Sequence, residues 1–194
     1  MVASVPVTTV DVREVVLSNS SFGPQEIQGI VRAIAEDASR HAVLRDAVNE
    51  LSARSEQTPA SAVRLGVCHY LLGRYDQAEQ TLMRADGGAV AHFYLGKTKA
   101  EQGRYRDSIG CYESARTAGY APDACALAIA EAYRCAGDPQ QSLVILDQMF
   151  GPVEQTAEYL YQRGATVAAV GGNPEEVIAL FERAVETDRR HAGA

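Results

Sequence analysis

The tripeptide Gly96-Lys97-Thr98 has the residue types that end a phosphate-binding loop. A complete loop of this kind carries another glycine five residues earlier, so that backbone N–H groups can wrap a phosphate. Ala91 stands at that position, and the residues before it do not form the apolar run of a buried strand. The sequence therefore predicts no nucleotide site here, and the tripeptide needs another explanation.

The other residues with catalytic or metal-binding chemistry are scattered along the sequence. The chain has no His-Glu-x-x-His, Gly-x-Ser-x-Gly or Gly-x-Gly-x-x-Gly pattern. Its histidines are far apart in sequence: His41, His69, His92 and His191. His69 and His92 fall at helical packing positions, where a core histidine is more common than a metal ligand. We therefore expect a protein that is not an enzyme and that uses no cofactor and no metal.

The charge and composition of the chain exclude further classes of function. The 194 residues carry a formal net charge of −7 at pH 7, which is the wrong sign for nucleic acid or an anionic membrane surface. The opening MVASVPVTTV lacks the basic start of a signal peptide, and no apolar run is long enough to span a bilayer. We expect a cytoplasmic protein. Four cysteines form no Cys-x-x-Cys pair and are predicted to be reduced core residues: Cys68, Cys111, Cys125 and Cys135.

Four segments of the chain resemble one another when the sequence is aligned with itself. Each holds two amphipathic helical patterns, and the segments are residues 61–85, 90–115, 125–149 and 159–184. A glycine separates the two patterns in every segment: Gly73, Gly103, Gly137 and Gly172. Glycine accepts the left-handed backbone conformation that often ends a helix. Each segment therefore predicts two helices joined by a tight turn.

The residues within these patterns also predict how the two helices pack. A small residue recurs in each first helix, at Gly66, Gly96, Ala130 and Ala165, where it lets the partner helix approach closely. The second helices present a packing stripe at i, i+4 and i+7: Ala78/Leu82/Ala85, Ser108/Tyr112/Ala115, Ser142/Leu146/Met149 and Val177/Phe181/Ala184.

This recurring pattern of small residue, turn glycine, alanine and aromatic residue resembles the tetratricopeptide repeat (TPR) family over residues 59–189. The resemblance implies an all-α fold, an α-solenoid in which stacked antiparallel helix pairs form a right-handed superhelix. The four units lie near residues 59–88, 89–122, 123–157 and 158–189. Gly96-Lys97-Thr98 then falls inside the first helix of the second unit. The sequence departs from the family where the closing proline is absent and where the first connection is about four residues short.

Both ends of the array are predicted from weaker patterns. Residues 23–58 are expected to form a helical hairpin that caps the first unit. Residues 1–22 are expected to be an extended or flexible arm, and a docked strand, a docked helix or a dimer contact stay open as alternatives. Residues 190–194 would start a further repeat. The absence of a polar capping helix after the fourth unit favours a fragment of a longer protein or an end covered by a second copy.

The resemblance also implies a function, because TPR proteins usually hold a segment of another protein in a concave groove lined by the first helices. The family's groove positions correspond here to Val63, Val67, Tyr70, Phe93, Tyr94, Lys97, Leu127, Glu131, Arg134, Tyr159, Gln162 and Arg163. We therefore expect a non-enzymatic interaction scaffold for a protein or peptide partner. The alternatives are a self-assembling homo-oligomer and the regulatory part of a longer protein whose effector domain lies beyond residue 194.

One TPR subclass binds the acidic C-termini of chaperones through lysines and asparagines in this groove. The matching positions in this chain are Val63, Val67, Tyr94, Ala124 and Ala128. None of these side chains carries the positive charge or the amide group with which that subclass holds a carboxylate. A chaperone adaptor of that subclass is therefore disfavoured.

Overall fold

The computed structural model describes residues 10–54, 58–85 and 87–189. Within these ranges the chain forms eleven α-helices, one short 3₁₀ helix and no strand. The α-helices are α1 (Val12–Leu17), α2 (Pro24–Glu36), α3 (Arg40–Ser52), α4 (Pro59–Leu71), α5 (Tyr75–Leu82), α6 (Ala89–Glu101), α7 (Tyr105–Thr117), α8 (Pro122–Cys135), α9 (Pro139–Asp147), α10 (Ala157–Ala169) and α11 (Pro174–Thr187). The 3₁₀ helix is Pro152–Gln155. The predictions for residues 1–9 and for residues 190–194 lie outside the described part of the chain.

The helices pack in consecutive pairs. Helix α4 packs against α5, α8 against α9, and α10 against α11, while α7 also contacts α8 and α10 also contacts α8 and α9. The chain divides into two compact units, Met1–Tyr94 and Leu95–Ala194. These pairs confirm the prediction of an all-α fold built from helix pairs. No helix in the described ranges has the length and apolarity that crossing a bilayer requires.

Glycine turns separate the two helices of each pair, as the sequence predicts for the first three units. Gly73, Gly103 and Gly137 have φ angles of 69°, 74° and 85°, in the left-handed region that favours glycine. In the fourth unit the prediction is wrong by one residue. Gly171 has the left-handed φ of 75°, and Gly172 is not among the residues with positive φ.

The same one-residue difference appears in the first helix of the fourth unit. Gly164, rather than Ala165, faces the partner helix, since a Cβ on Gly164 would lie 3.0 Å from Cε1 of Phe181. Gly164 precedes Gly171 by seven residues, as Gly96 precedes Gly103. The fourth unit therefore has one additional residue in its turn, and the predicted register is correct for α11 but shifted by one for α10.

Two other small residues allow the close helix approach that the sequence predicts. A Cβ on Gly66 would lie 2.5 Å from Cγ of Leu82, and a Cβ on Gly96 would lie 2.6 Å from Cε1 of Tyr112. Real Cβ atoms do not come this close to other heavy atoms, so the helices can pack at this distance only with glycine there. Gly96-Lys97-Thr98 is thus helical backbone in contact with α7, and Thr98 is fully buried.

The N-terminal region contains three helices, and the first of them corresponds to the docked helix that stayed open as an alternative to an extended arm. Residues 12–17 form α1, which is helical rather than extended, and Asp11 caps it by accepting a hydrogen bond from the N–H of Glu14. Helix α3 packs mainly against α1 and makes fewer contacts with α2. The reason is the apolar face of α1, whose Val12 and Val16 are buried in a cluster with residues of α2, α3 and α4. Helices α2 and α3 lie within the bounds of the predicted hairpin, residues 23–58, and α3 contacts α4 of the first unit, while α1 adds a third helix to this region.

The four cysteines are free, but they are not all core residues. Cys68 and Cys125 are buried, as the sequence predicts. Cys111 is half-buried and Cys135 is exposed, so for these two the prediction of a core position is wrong. The cores themselves are formed by aliphatic and aromatic side chains, and Leu146 of α9 is fully buried in the cluster between α8, α9 and α10.

Candidate functional site

The predicted groove residues of the first compact unit are mostly buried. Val63 and Val67 of α4 and Phe93 and Tyr94 of α6 have less than a tenth of their surface exposed, and Tyr70 is half-buried. The rings of Tyr70 and Tyr94 meet edge to face with centroids 5.4 Å apart. This arrangement is typical of packed aromatic pairs. Tyr70 is thus the member of this group that is not almost completely buried.

The predicted groove residues of the second compact unit range from buried to exposed. Leu127 of α8 and Tyr159 and Gln162 of α10 are buried. The charged residues are more accessible, because Glu131 is exposed and Lys97, Arg134 and Arg163 are half-buried. The charged side chains are thus the ones with surface available to a partner.

The register of α10 changes which residues of the fourth repeat occupy groove positions. Since Gly164 and Gly171 correspond to Ala130 and Gly137, α10 aligns with α8 at an offset of 34 residues. The positions equivalent to Leu127, Glu131 and Arg134 are then held by three other residues, Tyr161, Ala165 and Ala168. The sequence predicts Tyr159, Gln162 and Arg163 instead, and with Gly172 as the turn residue the position equivalent to Leu127 falls on Gln162 rather than Tyr161. Tyr161 is half-buried and its ring packs 5.8 Å from the ring of Phe181.

A small pocket lies beside the accessible charges of the second compact unit. Its volume is about 150 Å³, and we call it the Lys97 pocket. It is lined by Lys97, Ala100 and Glu101 of α6, Tyr105 and Tyr112 of α7, and Ala128, Glu131, Ala132 and Cys135 of α8. Burial raises the pKa of Tyr112, and the carboxylates of Glu131 and Glu101 raise it further, so this phenol stays protonated at neutral pH. The charged groups that line the pocket are therefore the ammonium of Lys97 and the carboxylates of Glu101 and Glu131, and the Tyr112 side chain adds no charge.

Two arginines of the second compact unit are held by other side chains. Nη2 of Arg134 donates to Oε1 of Gln162 over 3.1 Å, and Nε2 of Gln162 donates to Oε1 of Glu158 over 2.9 Å. Nη1 of Arg163 donates to Oδ1 of Asp147 over 2.7 Å. Burial alone lowers the pKa of Arg163, but the hydrogen bond to Asp147 and the proximity of Tyr159 raise it overall. Gln162 therefore links α8 to α10, and Arg163 links α10 to α9.

The described residues supply charges and hydrogen-bonding groups rather than a metal centre. Across residues 10–54, 58–85 and 87–189, no three His, Cys, Asp or Glu side chains are grouped so that they could hold a metal ion. The candidate site therefore consists of charged and hydrogen-bonding side chains of α6, α8 and α10.

Known structures resemble this chain over most of its length. No protein-family model and no curated protein matches it. Among solved structures, "MamA MSR-1 C2" aligns with a TM-score of 0.61 and 18% identity, covering 84% of this chain and 99% of that one. A chain of the APC/C hetero-tetramer Cut9-Hcn1 aligns with a TM-score of 0.68 and 13% identity over 86% of this chain. This chain spans 35% of that longer protein.

A third solved structure carries the name of the repeat in its description. It is a thermophilic TPR protein of Thermus thermophilus, with a TM-score of 0.56 and 14% identity over 86% of this chain and 83% of that one. At such identities the similarity concerns the fold, and it agrees with the helix pairs, the glycine turns and the 34-residue offset between α8 and α10. The fold of this chain is therefore that of the tetratricopeptide repeat family.

Proposed function

We propose that this protein is a non-enzymatic interaction scaffold that binds a segment of a partner protein on the first-helix surface of its second compact unit. The observation that carries the proposal is the Lys97 pocket, where Lys97, Glu101 and Glu131 surround a concave opening between α6 and α8. First helices are the elements that line binding grooves in repeat proteins of this architecture. The buried predicted residues of α8 and α10 would support this surface from below.

The charges of the pocket indicate which chemistry a bound segment would have. Two carboxylates and one ammonium give the opening a net negative charge at neutral pH. Opposite charge on a partner accelerates association and excludes like-charged competitors. We therefore expect the bound segment to place a lysine or arginine side chain next to Glu131, which is the exposed carboxylate of the pocket on α8.

Charge reversal at the pocket should remove binding without unfolding the chain. The test compares capture of proteins from a lysate of the source organism by the wild-type chain and by the Glu131→Lys variant. We expect a captured protein whose affinity for the variant falls about tenfold, which corresponds to about 1.4 kcal/mol. Because Glu131 is exposed, circular dichroism should show unchanged helicity.

Glu182→Lys is the matched control for this experiment. Glu182 is also exposed, but it lies on α11, a second helix. The control makes the same charge change in the same compact unit, so it should capture the partner as wild type does. Equal capture by all three proteins would contradict the proposal, and equal loss in both variants would show that net charge alone matters.

Self-assembly is a second candidate function, and the surface of α11 favours it. Ile178 and Val185 are seven residues apart on this helix and are 56% and 41% exposed. Apolar side chains that share one exposed helix face often mark a contact surface. A second copy of the chain could cover this face.

Sedimentation velocity at increasing protein concentration tests self-assembly. If α11 is a contact surface, the wild-type chain should gain mass with concentration, while an Ile178→Lys/Val185→Lys variant should remain monomeric. An exposed pair elsewhere, Val31→Lys/Val43→Lys, is the control, since these residues are 48% and 40% exposed in the first compact unit. Identical mass for the wild-type and α11 variants at all concentrations would exclude this function.

A further inference from the structure

Residues 10–22, which we call the N-terminal segment, contact the rest of the first compact unit in the way that a bound peptide contacts a receptor. A short helix carries two apolar anchors, and an extended stretch follows it. Helix α1 has six residues, and helices this short are not stable alone in water. Its conformation therefore depends on the surface that it occupies.

Apolar side chains hold the helical part of the segment. Val12 and Val16 are four residues apart, so they lie on one face of α1, and both are buried. They join a cluster with Ile30 of α2, Leu44 of α3 and Leu65 of α4, among others. Helix α2 also has a glycine below the start of the segment, where a Cβ on Gly29 would lie 3.0 Å from Cγ2 of Val10.

Arginine side chains hold the main chain of the segment. The guanidinium of Arg64 on α4 donates to the carbonyl oxygens of Ser18 and Ser20, and its Cζ lies 5.1 Å from the ring centroid of Phe22. Nη2 of Arg54 donates to the carbonyl oxygen of Leu17 over 3.0 Å.

Arg64 is 4% exposed, although arginine is rarely buried without a specific partner. Its place in the core is explained by these carbonyls. Both terminal nitrogens of the Arg64 guanidinium therefore bind main-chain carbonyls of the stretch that follows α1.

We propose that α2, α3 and α4 form an acceptor site for a short helical peptide, and that the N-terminal segment is its built-in, detachable occupant. The site recognises two valine-sized residues at i and i+4, carbonyl groups two and four residues after the second valine, and an aromatic ring six residues after it. The segment satisfies this pattern with Val12, Val16, Ser18, Ser20 and Phe22. This site is separate from the Lys97 pocket and does not depend on the function proposed for it.

A synthetic peptide with the sequence of residues 10–22, VDVREVVLSNSSF, tests the acceptor site in the full chain. Val16→Asp in the protein places a charged side chain at a fully buried position of the apolar cluster. This variant should therefore release the protein's own N-terminal segment. We expect the fluorescently labelled peptide to bind this variant at least tenfold more tightly than wild type, because tethering gives the native segment a high effective concentration. Fluorescence anisotropy measures both affinities.

Two controls define the recognition chemistry. A peptide that carries Val16→Asp should not bind either protein, because it lacks the second anchor. Adding Arg64→Ala to the Val16→Asp protein should weaken binding of the wild-type peptide at least tenfold, since the carbonyl contacts are lost. If the peptide binds neither protein while the variant keeps wild-type helicity, the acceptor site does not exist.

Hydrogen exchange tests the proposal even if Val16→Asp does not fold. It compares the wild-type chain with the single variant Arg64→Ala. The N–H groups of Val15 and Ser18 donate to the carbonyls of Asp11 and Glu14 within and around α1. Arg64→Ala should speed their exchange at least tenfold and leave the amides of α10 unchanged. Arg45→Ala, an exposed arginine on α3, should change neither set. Equal exchange in wild type and Arg64→Ala would overturn the proposal that the segment is held as a detachable ligand.

Discussion

Replacing Leu146 by alanine should lower the free energy of unfolding by about 2–5 kcal/mol, the range for a leucine removed from a packed core. Leu146 is 0% exposed and packs with Leu127 of α8 and with Met149 and Tyr159. The hydroxyl of Tyr159 also donates to the carbonyl oxygen of Leu146 over 3.3 Å. The cavity would therefore open where three consecutive helices meet. Urea unfolding followed by circular dichroism at 222 nm measures the change.

Val144 supplies the matched control, because it lies on the same helix with 48% of its surface exposed. Val144→Ala should change the free energy of unfolding by less than about 1 kcal/mol, since little apolar surface is removed from the core. Similar losses in the two variants would mean that Leu146 does not occupy the centre of this cluster. They would point to a weakened helix α9 instead.

A second large effect is expected at Gly96, where alanine should destabilise the chain by about 1–2 kcal/mol. Alanine normally stabilises a helix relative to glycine by roughly 1 kcal/mol. Here its Cβ would lie 2.6 Å from Cε1 and 2.7 Å from Cδ1 of Tyr112, a ring with 3% of its surface exposed. Overpacking typically costs about 1–3 kcal/mol. Because two atoms of a buried ring lie this close, we expect the upper part of that range, about 2–3 kcal/mol, which exceeds the gain in helix propensity by about 1–2 kcal/mol.

Gly110 tests the sign of that argument with the same substitution. It lies in α7 and would place its Cβ where no heavy atom lies within 4 Å. Gly110→Ala should therefore raise the free energy of unfolding by about 0.5–1 kcal/mol. Thermal unfolding of both variants is the measurement. A stabilised Gly96→Ala variant would show that α6 and α7 do not approach each other as closely as the structure has them.

Much of the fold could be predicted from the sequence because its signals are local and repeated. The small residue and the turn glycine recur at a seven-residue spacing, which is close to two helical turns, in the first three repeats. Each such pair predicts the position at which the first helix closely contacts the second helix, and the residue at which the first helix ends. The Gly-Lys-Thr tripeptide could also be assigned to a helix by this alignment, although its residue types are those of a phosphate loop.

The register of the fourth repeat could not be predicted, because its turn contains two adjacent glycines. Either Gly171 or Gly172 can adopt the left-handed conformation at little steric cost, so composition does not choose between them. The choice is decided by packing, since Gly164 rather than Ala165 meets Phe181. The groove positions of α10 depend on this contact between Gly164 and Phe181, which cannot be read from the residue types of the turn.

The sequence left the conformation of the N-terminal segment open between an arm, a strand and a helix, for a different physical reason. Six helical residues are too few to show a helical period, and the run Val15-Val16-Leu17 fits a strand equally well. Its structure is determined by distant partners, including Arg64, whose contacts with Ser18 and Ser20 span more than forty positions of sequence. Tertiary contacts of this range override local propensity.

The additional residue in the fourth turn has a consequence for how this chain can change in length. Helices α4, α6 and α10 have 13 residues each and α8 has 14, whereas the turn of the fourth repeat has gained a position. An inserted residue in a helix would rotate every later side chain by about 100°, but a surface turn absorbs it. Residue positions in this chain therefore correspond helix by helix, and a further insertion between Gly171 and Pro174 should leave the packing faces of α10 and α11 unchanged.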